Sequence, residues 1–370
     1  MKKRLLLGLA ALAAVTLTSC QKDQVINETP QQNAIEFGTY IGRDAQTKGS
    51  VLTTDGLKTQ GFGVYAYYTD NANYNATSSP LNFMNNEEVK YGTNSWEYSP
   101  VKYWPNESQD KLTFFAYAPY QSNRNASSTQ VGDPILTIDV DTDVTKHIDY
   151  TYATAGASLT TLTNITKQSI NSTIPFVFKH AMSRVGFKVE AVIDQTTGQG
   201  NGDNDEDNQT NSFNMSETTI TVQEVELYAV NNFYTNSQLN LNGGSWIYGD
   251  RNTESYKLRK DGNNFNDIWC NVTVDKTQLN KDDSYIFMIP SAFNVKVRVK
   301  YTVTTKDSSL LNEESKIVND ITSDNFNFTF VQGKAYNFVL HLGLTSVKLS
   351  ADVAEWDEAT DHVVNVPLNF

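Results

Sequence analysis

Val295, Val297, Val299, Tyr301 and Val303 alternate with Lys296, Arg298, Lys300 and Thr302, an apolar and polar period of two sustained over nine residues. Successive side chains of a β-strand point to opposite faces of its sheet, so this stretch predicts a strand with one face buried and one in water. Shorter runs of the same kind recur. Strands are predicted at Gly61 to Tyr68, Leu112 to Ala118, Ile135 to Val140, Ile174 to Phe178 and Arg184 to Ile193, separated by turn clusters of Asn, Asp, Ser, Gly and Pro. Leu112 to Ala118 is apolar on both faces, which predicts a strand inside a sandwich. Ile220 and Val222 lie in one register and Val225, Leu227 and Ala229 in the other, which predicts a β-bulge near Gln223. No long segment carries a helical period. The expected fold class is all-β, in keeping with 19 Tyr and 18 Phe beside abundant Thr.

The N-terminus reads as an address. Lys2, Lys3 and Arg4 precede an apolar run from Leu5 to Leu17, the n-region and h-region of a secretory signal, too short for a permanent membrane span. The run meets Leu17-Thr18-Ser19-Cys20, which resembles a bacterial lipobox. Residues 1–19 are then the signal peptide, and the Cys20 thiol carries the lipid that anchors the chain. Acyl chains contribute about 0.8 kcal/mol per buried CH₂, so several hold a protein firmly on one leaflet. A polar tether over residues 20–33 follows. Beyond it Ile35, Phe37 and Ile41 alternate with Glu36, Gly38 and Tyr40, which predicts a first strand with one buried face.

With 370 residues the chain is long enough for two or three domains. A boundary is expected near Ser172, after the Thr-rich and Ser-rich stretch from Ala153 to Ser172 where apolar patterning lapses. A net charge of −13 argues against nucleic acid, whose phosphates attract clustered Lys and Arg. Two cysteines, Cys20 and Cys270, exclude a disulfide scaffold, and Cys270 reads as a small buried hydrophobe. The loop holding Asp203, Asp205, Glu206 and Asp207 lacks the distal glutamate of an EF-hand, since residue 214 is Asn, and reads as a solvated hairpin loop. No nucleophile elbow, phosphate-binding glycine loop or His-Glu-x-x-His pair is present. No enzyme activity, metal or cofactor is expected. His180 reads as a hydrogen-bonded histidine at a strand end, and Gly61-Phe62-Gly63 as a packing point. Trp96, Tyr103, Trp104 and Trp246 read mainly as packing, with stacking on sugar rings as the functional alternative.

Four segments follow one another in a definite order: Ile35-Glu36-Phe37 after the lipobox; Tyr98 to Pro105 with Leu112 to Pro119; Phe178 to Val185; and Gly333 to Phe338 leading to Leu344 to Lys348 and Val353 to Trp356. Together they resemble the Bacteroidales fimbrillin family, including its Mfa-like branch, over nearly the whole chain beyond Cys20. The resemblance implies two tandem transthyretin-like β-sandwiches, residues 34–172 and 173–370, in a structural or accessory subunit of adhesive pili at the outer membrane. Gln21-Lys22-Asp23 is similar to the short charged signal that sends some Bacteroidales lipoproteins to the cell surface. In the family a trypsin-like protease cuts after an Arg behind the first strand, and the freed groove accepts a strand from a neighbouring subunit. Arg43 matches that position; Asp44 departs from the pattern, and a solvated loop arginine is the alternative.

At the other end Val364, Val366, Leu368 and Phe370 share one register, with Pro367 in the other. This tail is a candidate donor strand, or else an edge strand folded onto its own domain. Seven residues at about 3.3 Å each reach roughly 23 Å, enough for one sheet edge. The partners implied are other pilus subunits, the outer membrane through the lipid anchor, the processing protease, and surface glycans or proteins of host or bacterial cells. The rival is a monomeric, surface-anchored glycan-binding lipoprotein of a nutrient-capture system.

Overall fold

The computed structural model describes residues 34–41, 52–156, 159–167, 173–192, 218–267, 272–273, 275–281, 283–306, 308, 310–344, 347–355 and 361–364. The fold is all-β. The first half supplies β1 (Glu36–Ile41), β2 (Phe62–Tyr68), β3 (Met84–Tyr91), β4 (Trp96–Glu97), β5 (Leu112–Ala118), β6 (Ile135–Asp139), β7 (Thr151–Ala155) and β8 (Thr173–His180). All but β6 form one sheet, ordered β1-β8-β7-β5-β2-β3-β4. The one α-helix among the described residues, α1 (Thr54–Gln60), lies between β1 and β2. Thr53 caps it by accepting the Gly56 N–H (3.0 Å), and Gly61 closes it with a left-handed φ of 67°. With only Leu57 buried, α1 leaves no helical period in the sequence.

The second half supplies β9 (Ser183–Ala191), β10 (Thr218–Tyr234), β11 (Asn236–Asn240), β12 (Trp246–Tyr248), β13 (Arg251–Arg259), β14 (Thr277–Gln278) and β15 (Ile286–Met288). It continues with β16 (Ser291–Lys306), β17 (Glu314–Thr322), β18 (Phe326–Phe330), β19 (Lys334–Leu342), β20 (Val347–Glu355) and β21 (Asp361–Val364). One sheet runs β13-β10-β16-β17, with β18 also on β16. Another runs β14-β9-β19-β20-β21, with β15 also on β9. Inward residues of the two, among them Phe187, Val225, Val297 and Phe338, share one apolar core. Val295, Val297, Val299, Tyr301 and Val303 form the buried face of β16, as their alternation predicts. The ladder of β10 on β16 shifts register between Val222 and Glu224, which is the bulge expected at Gln223.

The seven-stranded sheet is buried on both faces. Phe62, Val64, Phe114, Phe176 and Phe178 line a smaller core on one side. Tyr65, Tyr67, Phe115 and Tyr117 join the larger core on the other. This is why Leu112 to Ala118 is buried throughout and, Thr113 apart, apolar on both faces. The halves are stitched further by β6, which pairs antiparallel with β11 from Ile135 opposite Asn240 to Asp139 opposite Asn236. The chain passes from the first sheet to the next at Ala181-Met182, after β8, which is paired on both sides within the first sheet. Parts of the Thr-rich stretch before it also attach to that sheet: β7 overlaps its start, and Ile165 and Leu112 exchange two backbone hydrogen bonds (2.9 and 2.8 Å). Threonine suits a strand, and backbone pairing needs no apolar pattern.

His147 crosses between the halves. Its Nε2–H donates to the Asp141 carbonyl (2.7 Å), and Nδ1 accepts the Phe287 N–H (3.0 Å), which fixes the neutral tautomer. Burial pushes its pKa down to about 4, partly opposed by the Asp141 carbonyl. An unfolded chain protonates this ring first as pH falls, so its contribution to stability is complete above pH 6.5 and is lost between pH 6.5 and 4. The loss is about 3 kcal/mol by pH 4. Urea unfolding across that range should show the decline, and His147→Gln should flatten it.

Candidate functional site

The site is the outer edge of the seven-stranded sheet, where β1 lies against β8. In β8, Ile174, Phe176, Phe178 and His180 point inward while Thr173 and Lys179 face solvent, a regular alternation that makes this segment a strand. β1 runs parallel to it, from Glu36 opposite Thr173 to Ile41 opposite Phe178. Parallel neighbours cannot be joined by a tight turn, and 137 residues separate Glu36 from Thr173. β1 is therefore a strand set into the sheet from far away in the sequence.

Ile35, Phe37 and Ile41 are each 5 % exposed or less and belong to the smaller core, whereas Tyr40 on the other face is 48 % exposed. Phe37 is the anchor. Its ring stacks on Phe176 (centroids 5.3 Å apart), leans on Tyr98 (5.4 Å) and meets Phe62 and Phe114 edge-on (6.0 and 6.2 Å). Thr173 Oγ1 donates to the Glu36 carboxylate (3.3 Å) at the start of the pair.

Pro175 sits within β8 without weakening this edge. Gly156 N–H donates to the Pro175 carbonyl (2.9 Å), so the backbone groups of Pro175 face β7. Directions alternate along a strand, which leaves Ile174, Phe176 and Phe178 to present complete N–H and C=O pairs toward β1. A strand lifted from this place would expose a full hydrogen-bonding edge above an apolar trough.

Among the described residues, the backbone bonds on the outer side of β1 lie near its start. Ile35 N–H donates to the Lys102 carbonyl (2.9 Å), and Ala34 bridges Tyr103. The Tyr98 hydroxyl donates to the Ile35 carbonyl (2.8 Å) and accepts the Lys102 N–H (3.2 Å), with its pKa pushed up to about 12 by burial. A cleft of about 480 Å³ opens beside this clasp, lined by Glu36, Trp96, Val101 and Tyr103 among others. At the far end the Ile41 carbonyl accepts the Thr54 hydroxyl (3.4 Å), and Leu52 N–H donates to buried Asp149 (2.8 Å). Ile41 and Thr54, which flank Arg43 in the sequence, thus lie close together.

Cys20, Arg43, Val366, Leu368 and Phe370 lie outside the described residues, as do Cys270 and the loop from Asp203 to Asp207. Val364 ends β21, which pairs antiparallel with β20 of its own sheet, Val364 opposite Ala351. His180 is buried with Nδ1 on Asp149 (2.9 Å), a hydrogen-bonded histidine at a strand end. Trp104 is buried against Phe114, Trp246 donates to the Ala181 carbonyl (3.2 Å), and Trp96 packs on Phe62 and Tyr91. The clasp of Tyr98 and Lys102 and the placement of Pro175 are not apparent from periodicity, because both depend on long-range pairing.

The fimbrillin-like family model matches residues 51–356. Fimbrium subunit Fim1C of Phocaeicola vulgatus is 25% identical over 395 residues, covering 97% of this chain and 98% of that protein. Among solved structures, a fimbrial protein from Bacteroides vulgatus superposes with a TM-score of 0.66 at 22% identity, over 88% of this chain and 99% of that one. That likeness bears on the fold.

Proposed function

The chain belongs to the fimbrillin-like family, and on that footing we propose that its surface subunits join by strand exchange, with β1 as the removable strand. A fimbrial subunit at the cell surface, and not an enzyme, is what the family and its relatives support. The finer reading is that Cys20 carries the outer-membrane lipid anchor, a trypsin-like protease cuts after Arg43, and β1 then leaves the trough along β8. The tail Val364, Val366, Leu368 and Phe370 of a neighbouring subunit takes its place. One observation carries this reading: Ile35, Phe37 and Ile41 fill a core from an edge strand whose ladder is continuous on one side only.

Each fully buried Ile or Phe contributes roughly 1.5 to 3 kcal/mol, so three hold β1 with about 5 to 9 kcal/mol before ordering costs. Four apolar residues of an incoming tail are of the same order, and ladder bonds would fix direction and register. Pro367 has no N–H and fits only with its nitrogen turned away from β8. The glycan-capture rival keeps one exposed platform, Tyr103 (48 % exposed), whereas Trp96, Trp104 and Trp246 are engaged in packing.

Treating the purified chain with a trypsin-like protease should produce SDS-resistant ladders on an unboiled gel, and Arg43→Ala should abolish them. Ladders that survive in Arg43→Ala would remove cleavage there as the trigger. Cleavage at Arg43 that releases β1 and yields only monomers would overturn strand exchange.

A further inference from the structure

β17 is an edge strand of the sheet β13-β10-β16-β17, and among the described residues no strand pairs with its outer side. On the β16 side, Ser323 N–H donates to the Val297 carbonyl (2.8 Å). Backbone groups of alternate residues point in opposite directions. Asn319 and Ile321 therefore face β16, while Lys316, Val318 and Asp320 turn their N–H and C=O groups outward. The edge is also apolar. Val318 is 77 % exposed, and Leu310, Leu311 and Ile317 are exposed with it, all within nine residues. Exposed edges are usually kept free of such side chains because they template pairing with another chain.

We propose that the free edge of β17 pairs antiparallel with β17 of a second copy of this chain, about a two-fold axis at Val318, joining subunits side by side. Charge selects both the occupant and the register. With the axis at Val318, Lys316 of each copy stands directly opposite Asp320 of the other, and Val318 meets Val318. With the axis at Ile317, Glu314 would oppose Asp320; at Asn319, Glu314 would oppose Asp324. Axes at Lys316 or Asp320 would set each residue against itself. Like charges directly opposite are destabilising, so a single register in this range satisfies the strand. Lys316, which alone would blunt the edge, pairs with Glu314 of its own strand (2.6 Å), and in that register it gains the second copy's Asp320 across the seam. Arg298 already holds Asp320 within each sheet (2.6 Å), so the new pair extends an existing row of alternating charge.

Cysteine cross-linking in the full, uncleaved chain carrying Cys20→Ser tests this, and it does so with β1 in place, apart from strand exchange. Directly opposite residues of a hydrogen-bonded antiparallel pair lie about 5.5 Å apart at Cα, within disulfide reach. Val318→Cys should give a disulfide dimer under mild oxidation, well above the parent protein with Cys270 alone. Lys316→Cys and Asp320→Cys should each stay monomeric, about four residues or 13 Å out of register with themselves, yet cross-link when mixed. Lys316→Asp added to Val318→Cys should lower the dimer yield roughly tenfold, and Asp320→Lys added to both should restore it. A Val318→Cys protein that dimerises no more than its parent overturns the proposal. So does Lys316→Cys cross-linking alone as readily as in the mixture.

Discussion

Phe37→Ala is expected to lower the unfolding free energy of the intact chain by about 3 to 5 kcal/mol, the range for emptying a buried aromatic site. The ring is 5 % exposed and touches four other aromatic rings: Phe176 on β8, Phe62 and Phe114 farther along the sheet, and Tyr98 in the clasp. Three of these neighbours, Phe62, Phe114 and Phe176, belong to β2, β5 and β8, which are pinned by their own ladders and cannot close over the cavity. Tyr40→Ala on the exposed face of the same strand should change stability by no more than about 0.5 kcal/mol. Urea unfolding at neutral pH measures both, with a common slope required for the comparison. A Phe37→Ala cost no greater than that of Tyr40→Ala would mean that β1 is peripheral, and the trough would lose its meaning as a site of exchange.

Deleting Val363 to Phe370 is expected to abolish protease-triggered polymerisation while leaving the fold intact. Among the described residues β21 is the last strand of its sheet and pairs with β20 alone, so trimming its end is expected to remove edge pairing only. The deleted chain should still accept a tail, which gives the experiment a second reading. Mixed with the parent protein, it should cap growing chains and shorten the ladders. Circular dichroism and the urea midpoint check the fold, and unboiled gels check assembly. Ladders of full length from the deleted chain alone would remove the tail as donor.

Much of this molecule is legible in its sequence where local rules act. The period-two face of β16, the bulge at Gln223, the doubly apolar β5 and the one-sided pattern of Ile35, Phe37 and Ile41 are all visible, because side-chain alternation is a property of a few consecutive residues. What sequence does not display is who pairs with whom. The parallel partnership of β1 with β8, the clasp formed by Tyr98, and the pairing of β6 with β11 join residues that are far apart in the chain. The boundary expected at Ser172 follows composition, whereas the sheets follow backbone hydrogen bonds that Thr and Ser supply as well as Val does. Helix α1 escapes notice because seven residues with one buried side chain are too few to show a period.

The pairing of β6 with β11 and the apolar core common to both halves bear on how such a link would carry a load. In a tether built of beads on flexible joints, tension first straightens the joints and only then strains the beads. Among the described residues the two halves share a strand pair and a core, so a tug applied at one end would pass through the body of the subunit before any joint could straighten. A filament of such links would owe its bending and its give to the contacts between subunits, leaving each subunit stiff.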